Sequence, residues 1–170
     1  MIMRSGQQLL LPASPWFIAG SLLVALLLSM LGQQPWMPDV LALTLVFWTV
    51  HQPLRIGIGA AFCFGLVMDV QQAGLLGQHA LSYTALSFLA IMIHRRVLWF
   101  PVPSQALQIL PLLMAAHVLD MLVRLASGAG FPVWSYWLAP FLQALLWPVA
   151  SVVLLLPQRR APDPDATRPL

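Results

Sequence analysis

The sequence predicts an all-α membrane bundle of about six transmembrane helices with both termini cytoplasmic. Three observations carry that expectation. Hydrophobic residues make up 60% of the chain and charged ones 8%, whereas a water-soluble domain carries about 25% charge. With so few charges the outer surface has to be apolar, and a bilayer is the solvent that allows this. The apolar residues gather into six runs near 14–32, 37–52, 54–70, 79–94, 105–127 and 134–156. The arginines fall on alternate links: one side receives Arg4, Arg55, Arg95, Arg96, Arg159, Arg160 and Arg168, and the opposite links receive none. That is the positive-inside pattern. The spanning domain is expected over 1–157, with a Pro-rich, polar and disordered cytoplasmic tail over 158–170.

The first run carries no charge from Leu9 to Pro38. A signal peptide's apolar stretch is roughly 7–15 residues, so an uncleaved span is expected. Its small residues Ser21, Ala25 and Ser29 are spaced by four. The second run is short. Pro38 and Asp39 are expected in its first turn, and Pro53 and Arg55 stop it. If it failed to cross, Arg55 and the Arg95/Arg96 pair would fall on opposite sides and the charge asymmetry would vanish.

In the third run Gly57, Ala61 and Gly65 are spaced by four. Small residues at that spacing let another helix approach closely, in this chain or in another. Asp69 ends the run, and Gly74 and Gly77 are expected to allow a tight link to the fourth. Two readings of Asp69 stand side by side. It caps this link in the headgroup region, or it makes a polar contact with a neighbouring helix or a partner. A carboxylate at a helix C-terminus is opposed by the helix dipole, which calls for a compensating donor.

The fourth run ends at Arg95 and Arg96. In the fifth, Asp120 and Arg124 are one turn apart, with His117 on the same face. Each charge alone costs roughly 2.5–3.5 kcal/mol at membrane depth, and pairing would lower that cost. The two form a self-satisfied pair near the outer interface, or their face points into the bundle or at a partner. Pro111, Pro140 and Pro148 predict kinks in the fifth and sixth runs. Trp16, Trp36, Trp99, Trp134 and Trp137 stand near expected span ends.

Several function classes are excluded. The basic residues form no patch with interleaved aromatics, so nucleic acid is not a partner. The single cysteine, Cys63, excludes intrachain disulfides and cysteine metal clusters. No nucleophile elbow, phosphate loop or metal-ligand spacing occurs, and no cofactor and no enzymatic activity are expected. Asp69 and Asp120 meet near the outer face only if the fold brings them together.

The order of features carries a resemblance. A proline-led second span, "WMPDVLALTLVFWTVHQPLRIGIG", is followed by "FGLVMDVQQAGLLGQHAL", an Arg-bearing link, a fifth span with Asp120 and a final "LQALLWP". The pattern G-x-x-x-D-x-x-x-x-G-x-L-G-x-x-A-L falls on Gly65, Asp69, Gly74, Leu76, Gly77, Ala80 and Leu81. Over nearly its whole length the chain resembles the rod shape-determining MreD family of Gram-negative bacteria. The resemblance implies a non-enzymatic inner-membrane subunit of the cell-elongation machinery that binds MreC. Through MreC it would meet MreB, RodA and a class B penicillin-binding protein in lateral peptidoglycan synthesis. It also implies a distant likeness in fold to substrate-binding subunits of vitamin transporters. The alternative function is therefore a substrate-binding subunit of a small-solute transporter. That reading needs a polar, outward-facing cavity, and few polar side chains are expected to line one. The candidate helix-packing or partner-contact residues are Gly57, Ala61, Gly65, Asp69, Gly74, Gly77, Asp120 and Arg124.

Overall fold

The computed structural model describes residues 13–32 and 34–158. Six helices stand where the six apolar runs lie: α1 (Pro15–Leu31), α2 (Val40–His51), α3 (Ile58–Gln71), α4 (Gln78–Leu98), α5 (Val102–Ala126) and α6 (Leu138–Leu155). A 3₁₀ turn, Trp134–Trp137, leads into α6 and another, Leu156–Gln158, closes it. The described residues contain no strand. Of the tail expected from residue 158, only Gln158 is described, and it is buried. Arg4 and residues 159–170 lie outside the described residues.

The bundle is organised around α2. Every residue from Leu41 to Val50 is buried, because α1, α4 and α6 surround the helix. Phe47 and Trp48 sit edge to face at 5.1 Å between ring centroids, and Phe17 and Trp147 close over them. This explains the short second run. Twelve residues rise only about 18 Å, well under the roughly 30 Å of a bilayer core. A helix jacketed by other helices does not have to match that thickness, and the space beyond its first turn is left open as a cavity.

The outward surface is apolar. Leu23, Val24, Leu27 and Leu31 of α1 and Leu145, Val149 and Val153 of α6 are all exposed. Trp16, Trp99 and Trp134 project from helix ends and are nearly fully exposed. Two stretches, α5 and Trp134–Gln158, are long and apolar enough to cross a membrane on their own. The prolines do not interrupt the helices. α5 runs through Pro111 and α6 through Pro148, while Pro140 lies in the first turn of α6, where its missing N–H leaves no helical bond unmade.

Antiparallel neighbours give the bundle two unlike ends. At one, Arg55 Nη1 donates to the Ala13 carbonyl at 2.6 Å, and Arg95 and Arg96 occupy the last turn of α4. At the other lie the α1–α2, α3–α4 and α5–α6 links and all three aspartates of the described residues: Asp39, Asp69 and Asp120.

Candidate functional site

Each aspartate is met by neutral donors, and all three are met by one short stretch, Gly77–Tyr83, at the start of α4. Asp69 is 1% exposed. Its Oδ2 accepts from the Gly77 amide at 2.8 Å and the Ala80 amide at 3.3 Å. Its Oδ1 accepts from the His79 amide at 2.7 Å and lies 2.9 Å from His79 Nδ1. The donor that the sequence called for is therefore the free N-terminus of the next helix. The carboxylate that opposes the dipole of α3 satisfies the amides and the dipole of α4. Asp69 is buried in this corner.

Glycine is needed at two points of the corner. Gly77 has φ +103°, a left-handed conformation that aims its amide at Asp69. A Cβ on Gly65 would lie 2.6 Å from the Ala80 amide nitrogen, so α3 and α4 touch backbone to backbone. The small-residue stripe thus packs on α4 of the same chain, with Ala61 fully buried. Gly57 stands outside this contact as the N-cap of α3. Gly74 does not supply the tight backbone expected of it. The left-handed residues of the link are Ala73, with φ +49°, and Gly77, and Gly74 is exposed with open space around it.

Asp39 is a junction that the sequence undervalued. It is the N-cap of α2 rather than a residue of its first turn: Oδ1 accepts from the Ala42 amide at 3.1 Å. Ser29 of α1 also donates to Oδ1, at 3.0 Å, and Ser29 Oγ accepts from the Leu41 amide. The Tyr83 hydroxyl of α4 donates to Oδ2, and Gln143 of α6 donates to the Asp39 carbonyl at 3.0 Å. Four helices meet at this residue. Elsewhere in the α1–α2 seam, Trp48 Nε1 donates to Ser21 Oγ at 2.8 Å.

Asp120 does not pair with Arg124. Its Oδ1 accepts from Gln78 Nε2 at 2.7 Å and its Oδ2 from the Tyr136 hydroxyl at 2.9 Å. No arginine forms an ion pair with a carboxylate among the described residues. Residues one turn apart share a face, but neighbours on α4 and in the 3₁₀ turn offer donors at better positions. Arg124 is left half-buried with its Nε unpartnered. His117 bonds back to the Leu113 carbonyl, and its own carbonyl lies 2.9 Å from the Tyr136 hydroxyl, sharing that single proton with Asp120.

Between these junctions the bundle opens into a cavity of about 570 Å³, walled by Asp39, Gln78, Tyr83, Asp120, Arg124 and Gln143 among others. The expectation that polar side chains are too few to line one is therefore wrong. The polar residues are few in the chain, but the fold brings nearly all of those near this end to a single place.

Compared with known proteins, residues 3–157 match the family model described as rod shape-determining protein MreD. The chain belongs to the MreD family. It is also 29% identical, over 121 residues, to the rod shape-determining protein MreD of Haemophilus influenzae, covering 69% of this chain and 72% of that protein. No solved structure matches it. Among the described residues no three His, Cys, Asp or Glu side chains are grouped so as to hold a metal ion.

Of the residues singled out in the sequence, Ala61, Gly65, Asp69 and Gly77 come together in the α3–α4 corner, and Asp120 and Arg124 line the cavity. Asp39, Gln78, Tyr83, Tyr136 and Gln143 were missed. A signal for them existed. The chain has only two tyrosines, and each donates to an aspartate.

Proposed function

We propose that the chain is a non-enzymatic, multi-pass subunit of the bacterial inner membrane that binds MreC. In that role it helps MreB, RodA and a class B penicillin-binding protein direct lateral peptidoglycan synthesis. The observation that carries this is the family match over residues 3–157. The apolar outer surface and the tryptophans at helix ends support life in a bilayer. Gathering Arg55, Arg95 and Arg96 at one end supports cytoplasmic termini, with the aspartate end at the periplasmic face. Most of the candidate contact residues bond or pack inward, which leaves Gly57 at the start of α3, Gly74 in the exposed α3–α4 link and Arg124 at the cavity as the ones able to meet a partner.

The test is genetic and biochemical together. The host gene is depleted and this chain is expressed in its place, with cell shape followed by microscopy and MreC sought by affinity capture from membranes. Rods with MreC captured are expected. Rods without MreC would overturn the partner, and round cells despite normal accumulation would overturn the role.

A further inference from the structure

We infer that the cavity at the aspartate end is a binding site for an amino-acid-type zwitterion, a free amino acid with a sizeable side chain or a dipeptide. Five buried side-chain atoms among the described residues have no hydrogen-bond partner, and three belong to residues that line this one cavity: Gln143 Oε1, Gln71 Oε1 and Arg124 Nε. Gln143 is fully buried, and its amide nitrogen is already committed to Asp39. An acceptor left bare in such a place bears its full desolvation penalty, so folds rarely keep one without a use.

The unpartnered atoms define complementary chemistry. Two are acceptors and call for N–H donors. One is a guanidinium N–H and calls for an anion or a strong acceptor. The charges agree. Asp39 and Asp120 place negative charge in the wall, each held by neutral donors, and Arg124 places positive charge there without an ion pair. With two carboxylates and one guanidinium in the wall, a simple anion is disfavoured, and a simple cation would leave Arg124 Nε without the acceptor it lacks. A zwitterion satisfies both, with its carboxylate on Arg124 and its ammonium toward the glutamine oxygens and the aspartate field. Met68, Leu86, Leu113 and Phe131 supply an apolar wall for a side chain. At about 570 Å³ the space is within the range of small-molecule sites.

The test uses the full chain in lipid nanodiscs. Each common amino acid and a set of X-Phe dipeptides are added at about millimolar concentration, and the thermal midpoint is read. In parallel, protein purified from its own membranes is denatured and the released small molecules are identified by mass spectrometry. One or more zwitterions are expected to raise the midpoint by roughly 3–8 °C, while the matching amine and the matching acid do not. Arg124→Met is expected to abolish the shift without lowering the unliganded midpoint, since no bond to Arg124 Nε is lost. Ala116→Phe, which fills the cavity, is expected to abolish it too. A shift that survives in both variants would place the ligand elsewhere and overturn the assignment. So would the absence of any shift together with no amino acid or peptide released above the Ala116→Phe level. Cell shape does not enter this test, so its outcome stands apart from that of the proposed role.

Discussion

Gln78 donates to Asp120 at 2.7 Å across the α4–α5 seam, at the same helix end where the neighbouring His79 engages Asp69. Two successive residues thus reach two carboxylates on opposite sides of α4. Tyr83, little more than a turn further on, reaches the third. The first turns of α4 act as a hub of donors, which is how three aspartates persist in a bundle with a single arginine nearby.

Asp69 gives the first expectation. Removing its carboxylate strips the Gly77, His79 and Ala80 amides of their acceptor. Asp69→Ala is expected to destabilise by about 3 kcal/mol, the scale of one or two bonds to a charged group. Asp69→Asn keeps one acceptor oxygen and is expected to recover part of that. Denaturant titration in detergent micelles reads both. Equal losses would mean that the helix-capping bonds contribute little.

The backbone contact at Gly65 gives the second. The atoms in the way belong to the Ala80 and His79 backbone, which cannot swing aside. Gly65→Ala is expected to cost about 1–3 kcal/mol, the range of an overpacked core. Gly59→Ala, on the same helix with open space around it, is expected to be neutral or slightly stabilising. Accumulation in membranes and thermal midpoint compare the two. Equal behaviour would argue that α3 and α4 stand further apart.

These contacts mark what the sequence could and could not reveal. The helices were legible because apolar runs, prolines and arginines punctuate the chain at the scale of the elements themselves. The donor for Asp69 was legible in part, since the dipole argument required one and the partner lay just beyond the link. The junctions at Asp39 and Asp120 were not. Tyr83 and Asp39 are 44 residues apart, and Gln78 and Asp120 are 42 apart. Nothing local in the sequence says which helices will be neighbours. The pairing of Asp120 with Arg124 failed for the same reason: spacing reports a shared face, not the competition from donors on other helices.

That correction can be measured with double-mutant cycles. Asp120→Ala and Arg124→Met are expected to add within about 0.5 kcal/mol, as uncoupled sites do. Asp120→Ala and Tyr136→Phe share a hydrogen bond and are expected to couple by about 1 kcal/mol or more. Coupling in the first cycle and none in the second would restore the arginine pair and remove the tyrosine bond.

The proposed orientation puts the aspartate end and the cavity at the periplasmic face and the arginine end in the cytoplasm. Single cysteines placed at either end of α3 test it most directly, in a chain whose Cys63 is replaced by serine. Gly74→Cys stands in the exposed α3–α4 link, and Leu54→Cys in the α2–α3 link, where the native leucine is fully exposed. Intact spheroplasts are treated with a membrane-impermeant maleimide. Modification of the Gly74→Cys variant at once, and of the Leu54→Cys variant only after the membrane is opened, is the expected result. The reverse order would invert the bundle, and modification of both from outside would mean that α3 does not cross.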